Sequence, residues 1–231
     1  MSGGQKKTMN REIIIGVLGG MGPYATNFFF KRLLDITPVK LDEDHFRTII
    51  DSNVKIPSRT RAVKYNEQSP VHDIVSSING LGKIGCSFVM LPCNSAHYFY
   101  KAVNKKIEIP WINMIEIVSN NILNQNYIKP LILGGFVTTQ KKIYSEYLPE
   151  SVYLTDSENR KIESIIEEIK GTNKISKNSE KIIQNIIENY NDSIDSVLLA
   201  CTELPIVIEE NYFEGKKAIS SIDEYINYLL L

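Results

Sequence analysis

Two cysteines carry the chemical reading of this chain. Cys93 and Cys201 each end a short apolar run, Phe88-Val89-Met90-Leu91-Pro92 and Ser196-Val197-Leu198-Leu199-Ala200, and each precedes a side chain able to hydrogen-bond, Asn94 and Thr202. The two stretches align residue for residue at a separation of 108 positions, close to half of the 231-residue chain. The plain alternative is a pair of core thiols, since free cysteine is among the most buried residue types. Position favours chemistry, because in open α/β sheets ligands gather at the carboxyl ends of strands, where the following helix N-termini also point. A thiol with an ordinary pKa of about 8.5 is readily shifted toward neutrality, so cysteine can take or give a proton. Two facing thiols holding one proton between them would remove hydrogen from one face of a carbon and return it to the other. That inverts a stereocentre without a cofactor, with a bell-shaped pH profile belonging to the pair.

Such a carbon acid is weak, so the site also needs cations to stabilise the developing enolate-like carboxylate. Arg59 and Arg61 stand in the segment Ile56-Pro57-Ser58-Arg59-Thr60-Arg61, which Pro57 marks as a loop. The planar fork of arginine suits bidentate carboxylate binding; the alternative for either is a solvated surface charge. Cys86 precedes its strand, away from the carboxyl end, and reads as structural.

The elements that must position these groups follow from periodicity. Residues 12–18 form an Ile/Val-rich strand ending in Gly19-Gly20-Met21-Gly22-Pro23, and a helix over 24–36 follows, with Pro23 suited to a first helical position. Further strands are expected at 47–53, 87–91, 111–113, 130–133, 152–154 and 196–200, and helices at 69–80, 115–124, 139–147, 158–170 and 179–190, with a loop over 171–179. Short continuous apolar strands alternating with amphipathic helices indicate parallel sheets covered on both faces, an α/β fold.

Composition narrows the partners. Twenty-six Lys+Arg against 27 Asp+Glu give a net charge of −1, which argues against nucleic acid or an anionic membrane as the partner. No apolar run approaches the ~18 residues of a spanning helix. Three cysteines without a secretory segment point to free thiols in a reducing, cytoplasmic setting. Residues 1–9 are polar and read as a disordered tail or a non-native remnant.

Taken together, the motifs resemble the aspartate/glutamate racemase superfamily, and within it the cofactor-independent aspartate racemases. Gly16-Val17-Leu18-Gly19-Gly20-Met21-Gly22-Pro23-Tyr24-Ala25-Thr26 is similar to that family's opening motif, Pro92-Cys93-Asn94-Ser95-Ala96-His97 to its first cysteine segment, and Cys201-Thr202-Glu203-Leu204-Pro205 to its second. The resemblance implies two pseudo-symmetric α/β domains, each a mostly parallel sheet flanked by helices, with the active site in the cleft between them. The first would comprise residues 10–109 plus 215–231, the apolar final helix from 222 packing on it, and the second 110–214. It implies a homodimer, an amino-acid substrate, aspartate with glutamate as second candidate, and neither pyridoxal phosphate nor another cofactor or metal. Cys93 and Cys201 inherit the two acid/base roles. Arg59, matching the family's Pro-x-Arg-Thr loop, grips the side-chain carboxylate, and Lys170 before Gly171 supplies a second cation. Asn94, Ser95 and Thr202 meet the α-carboxylate, Thr138 is the substrate-carboxylate donor of the second glycine loop, and Met21 and Thr26 of the opening loop complete the substrate contacts. Ser58, Ser95, Ala200, Gly135 and Val137 depart from the family pattern.

Three other readings stay open on residues alone. Gly20-Met21-Gly22-Pro23-Tyr24-Ala25 fits a relaxed dinucleotide loop, though Pro23 removes a backbone donor. Cys93 and His97, four apart, fit the nucleophile and base of a cysteine hydrolase. A catalytically silent protein that only binds a dicarboxylate would use the same cleft. Zinc fails on spacing, for no C-x₂-C or H-x₃-H pair exists.

Overall fold

The structure, a computed structural model, describes residues 13–210, 212–213 and 215–230, so the reading of residues 1–9 lies outside it. The first half runs β1 (Ile14–Gly19), α1 (Pro23–Ile36), β2 (Arg47–Ser52), α2 (Arg59–Tyr65), α3 (Val71–Lys83), β3 (Phe88–Met90), a 3₁₀ turn (Asn94–Phe99) and α4 (Tyr100–Asn104). The second runs α5 (Met114–Asn124), β4 (Pro130–Leu133), α6 (Phe136–Gln140), β5 (Val152–Tyr153), α7 (Asp156–Thr172), α8 (Lys177–Glu188), β6 (Ser196–Leu199), β7 (Lys217–Ser220) and α9 (Ser221–Asn227). Two wholly parallel sheets result, ordered β2-β1-β3 and β5-β4-β6-β7. In each, the strand before a glycine loop lies beside the strand before a cysteine, with Val17 opposite Met90 and Leu133 opposite Leu199. The chain therefore reverses its winding between these paired strands, and that switch point is where an open α/β sheet leaves a crevice.

Alternation along the strands sorts the core into three layers. Ile15, Val17 and Met90 of the first sheet and Ile132, Leu198 and Ile219 of the second face a common interior, filled by Phe29 and Leu33 of α1, Met114, Val118 and Ile122 of α5, and Ile222, Tyr225 and Ile226 of α9. The opposite face of the first sheet, with Leu18, Val89 and Leu91, is covered by Ile74 and Ile78 of α3. The opposite face of the second, with Leu131, Leu133, Val197 and Leu199, is covered by Ile162, Ile166 and Ile169 of α7 and Ile183 and Ile187 of α8. Among the described residues, no helix is long and apolar enough to cross a membrane.

Local chemistry accounts for the differences from the expected elements. The segment after Pro57 is helical rather than a loop: Ser58 caps α2 by accepting from the Arg61 N–H at 3.3 Å, and Asn66 ends it in the left-handed region, φ 54°. The helix expected over 139–147 is the shorter α6, and the loop over 171–179 shrinks because α7 continues to Thr172 and Ser176 caps α8. The return to the first half at 215 is delayed. Lys217–Ser220 first adds an edge strand to the second sheet through Leu199↔Ser220, and α9 follows, packing on α1 and α5.

Tyr225 ties α9 to the first sheet, its hydroxyl donating to the Ile112 carbonyl at 2.6 Å and accepting from the Leu91 N–H at 3.3 Å. Tyr225→Phe leaves both backbone groups buried without that partner and is expected to lower stability by about 1–3 kcal/mol in urea unfolding.

Candidate active site

The carboxyl ends of β1, β3, β4 and β6 open on a cavity of about 410 Å³ lined by Cys93 from one sheet and Cys201 from the other. Met21, Arg59, Asn94, Ser95, Thr138, Lys170 and Thr202 line it as well. Thr26 does not. It lies buried beneath the opening loop, where its hydroxyl accepts from the Gly20 N–H at 2.9 Å and donates to the Gly22 carbonyl at 2.8 Å. Its contribution is to hold the turn that carries Met21 to the cavity. That turn needs glycine at position 20, where φ is +86° and a Cβ would stand 2.4 Å from the Asn53 backbone. In the second half, a Cβ on Gly134 would stand 2.9 Å from the Ala200 carbonyl, so glycine there lets the ends of β4 and β6 close up beside Cys201.

Cys93 is buried, with the Ser95 hydroxyl 3.4 Å from its sulfur. His97 is not its base. The imidazole Nε2 accepts from the Met114 N–H at 3.1 Å, which leaves Nδ1–H to donate to the Cys93 carbonyl at 2.9 Å. Both ring nitrogens are thus spent on backbone, and burial pulls the histidine pKa down to about 4. The hydrolase reading loses its base, and the structural role of His97 is to bind the turn after Cys93 to the start of α5. Asn94 is also committed internally. Its Oδ1 accepts from the buried Tyr144 hydroxyl, and its Nδ2 donates at 3.1 Å to Ser221 Oγ, which donates at 2.7 Å to the Leu199 carbonyl. One N–H of the Asn94 amide and its backbone N–H are left over from these bonds, and the residue lines the cavity.

Cys201 is half-buried, and its thiol donates to Glu203 Oε2 at 3.0 Å. Burial and the Glu203 charge push the Cys201 pKa well up, against the pull of Lys170. Burial works to discharge Lys170, but its acidic neighbours, Glu203 beside the Cys201 thiol and Glu167 at 2.8 Å, outweigh it and hold the lysine protonated. Arg59 Nη1 donates to the Pro57 carbonyl at 2.9 Å, and its Nε is buried without a partner. Arg61, which also lines the cavity, pairs its Nε with Glu67 at 2.8 Å on the surface. Thr138 is buried at the cavity wall, and Cys86 is buried away from it, its thiol pushed up by burial.

Three acidic residues of the cavity escaped the sequence reading. Glu163, Glu167 and Lys170 recur at the i, i+4, i+7 spacing of one face of α7, beside its Ile stripe, so the signal was there. Glu163 accepts from the Phe136 N–H at 3.0 Å, satisfying the first turn of α6. Glu203 stood inside the second cysteine motif without a role.

The depressed His97 pKa sets a stability window. The unfolded chain binds the histidine proton from pH 6.5 downward and the folded chain only near 4, so stability is complete above 6.5 and is lost as pH falls between the two values. The loss expected is about 3 kcal/mol, and unfolding titrations of the His97→Gln variant across that window should lack this slope.

A family model described as Asp/Glu/hydantoin racemase matches residues 18–228. The broad specificity amino-acid racemase RacX of Bacillus subtilis is 26% identical over 203 residues, 85% of this chain and 88% of that protein. Among solved structures, the chain is similar to the aspartate racemase of Picrophilus torridus, with a TM-score of 0.84 and 28% identity over 94% of this chain and 93% of that one. It shares the fold of a glutamate racemase of Bacillus anthracis, with a TM-score of 0.65 at 19% identity, over 95% of this chain and 81% of that one. With a match that takes in both cysteine motifs and both glycine loops, the chain belongs to the Asp/Glu/hydantoin racemase family of isomerases.

Proposed function

We propose that the protein interconverts L- and D-aspartate by proton transfer between Cys93 and Cys201, without pyridoxal phosphate or another cofactor. The observation that carries this is the shared cavity, one thiol contributed by each sheet. One cysteine, as thiolate, takes the α-hydrogen; the electron pair passes into an enolate-like carboxylate; the opposite thiol protonates the carbon from the other face. Arg59, with an idle buried Nε, receives the side-chain carboxylate, and Lys170 adds a second positive charge. Ser95, Thr202 and Thr138 ring the place left for the α-carboxylate. The Picrophilus torridus aspartate racemase is the relative that supports aspartate. Glutamate is the slower substrate in this reading, since one methylene changes pocket discrimination by about 1–3 kcal/mol. A homodimer in a reducing, cytoplasmic setting completes the proposal, supported there by three free thiols.

Chiral chromatography of L- and D-aspartate reactions tests it. Cys93→Ala and Cys201→Ala are each expected to slow racemisation by about 10²–10⁴-fold or more, and the wild type in D₂O should place α-deuterium in both enantiomers. Retained racemisation in either variant rejects the two-thiol reaction, and binding of aspartate without exchange makes the protein a silent dicarboxylate binder.

A further inference from the structure

The two cavity thiols have unequal surroundings. Against Cys93 stands a hydroxyl, Ser95 Oγ at 3.4 Å, whereas against Cys201 stands a carboxylate, Glu203 Oε2 at 3.0 Å. Glu203 is only 2% exposed, and its second oxygen, Oε1, is buried without a hydrogen-bond partner. The opening loop lies against it, for a Cβ on Gly22 would stand 3.0 Å from Oε1. Burying a carboxylate with an idle oxygen is unfavourable, so the local packing does not by itself account for the group. A thiolate and a carboxylate do not rest 3.0 Å apart without a proton between them.

We propose that Glu203 is a positioning residue that keeps this shared proton on Cys201, so that Cys201 starts the cycle as the acid and Cys93 as the base. The inference rests on the two-thiol reaction proposed above and adds a direction to it. Other groups around Cys201 do not cancel the effect. Lys170 of α7 attracts a thiolate, but it is also paired with Glu167 at 2.8 Å, and the Thr202 hydroxyl donates to Glu203 Oε2 at 3.5 Å; Arg59, Arg61 and Cys93 reach the cavity from the first half, Arg61 paired with Glu67, and Glu163 of α7 is bonded to the Phe136 N–H. Burial and the Glu203 charge together hold the Cys201 thiol in its protonated form.

From that resting state the balance is complete. The Cα–H bond breaks toward the Cys93 thiolate, which becomes a thiol, and the Cys201 S–H bond breaks as its hydrogen forms the new Cα–H bond on the opposite face. The cycle ends with a Cys201 thiolate beside the Glu203 carboxylate, and their repulsion returns a proton to Cys201 from Cys93 or solvent. The enantiomer presenting its α-hydrogen to Cys93 thus meets an enzyme already loaded, and its mirror image must wait for the proton to move.

Site-resolved alkylation by iodoacetamide against pH, read by mass spectrometry, tests this without any amino-acid substrate. Cys93→Ser isolates Cys201, Cys201→Ser isolates Cys93, and buried Cys86 is an internal reference. The alkylation midpoint of Cys201 should lie above that of Cys93. Adding Glu203→Gln should lower the Cys201 midpoint and raise its rate at neutral pH by about threefold for each unit of pKa lost, the thiolate gained being partly offset by lower nucleophilicity. Cys93 should not change. Equal midpoints, or a Cys201 rate unmoved by Glu203→Gln, overturn the proposal; if that variant does not fold, the comparison of midpoints with Glu203 in place decides alone. Because aspartate is absent, failure here is separable from failure of racemisation.

Discussion

The hydrogen-bonded bridge from Asn94 through Ser221 to the Leu199 carbonyl fixes how the two thiol-bearing loops face each other. Asn94 follows Cys93 directly, and Leu199 ends β6 two residues before Cys201, so the bridge joins the cysteine-bearing ends of two sheets that share no ladder hydrogen bond among the described residues. Tyr144 completes it by donating to the free oxygen of Asn94, and all three side chains are buried. A polar network in a low-dielectric interior is rigid when every member is satisfied and costly when one is missing. The apolar layer of α1, α5 and α9 beneath it supplies bulk cohesion, but hydrophobic contacts are not directional. The bridge and His97 supply the register, one between the cysteine loops and the other between the first loop and α5.

Much of the fold was legible because β1, β3, β4 and β6 are short, apolar and buried on both sides, and because α7 and α8 keep their isoleucines on one stripe. Tertiary partners were not. β7 has four residues, and nothing in Lys217-Ala218-Ile219-Ser220 says that it pairs with a strand twenty residues earlier rather than joining the first half. α2 was hidden because Pro57 draws attention to a turn, whereas the deciding feature is the Ser58 hydroxyl aimed at the next turn. The loops around the cysteines were readable as motifs, but a motif does not distinguish the residues that face the cavity from those that hold it open. Thr26 is of the second kind, and Asn94 combines the two, lining the cavity while its side chain bonds Tyr144 and Ser221. The bond from Asn94 to Ser221 spans 127 positions, beyond any local pattern.

Charge in the cavity is arranged rather than merely accumulated. Arg59, Arg61 and Lys170 are matched by Glu163, Glu167 and Glu203, so the site is not a general anion sink. Glu163 is absorbed by the first turn of α6 and Glu167 by Lys170, which confines the lysine to one side of the cavity and couples it to Cys201. A balanced lining of this kind suits a zwitterion better than a simple anion, because each fixed charge then has one partner to offer and one to refuse.

Folding leaves few polar atoms idle, and where it leaves them is informative. Five buried side-chain nitrogen or oxygen atoms among the described residues have no partner, and two of them, Arg59 Nε and Glu203 Oε1, belong to residues lining this cavity. They are of opposite charge and come from opposite halves of the fold. Neither is explained by stability, since a buried donor or acceptor without a partner lowers it. In the reaction proposed above the same positions make sense: Arg59 would keep a donor for the amino acid, and Glu203 would keep its charge beside the Cys201 thiol. Local consistency between sequence and fold gives way where chemistry requires it, and here it gives way at both walls of one cavity.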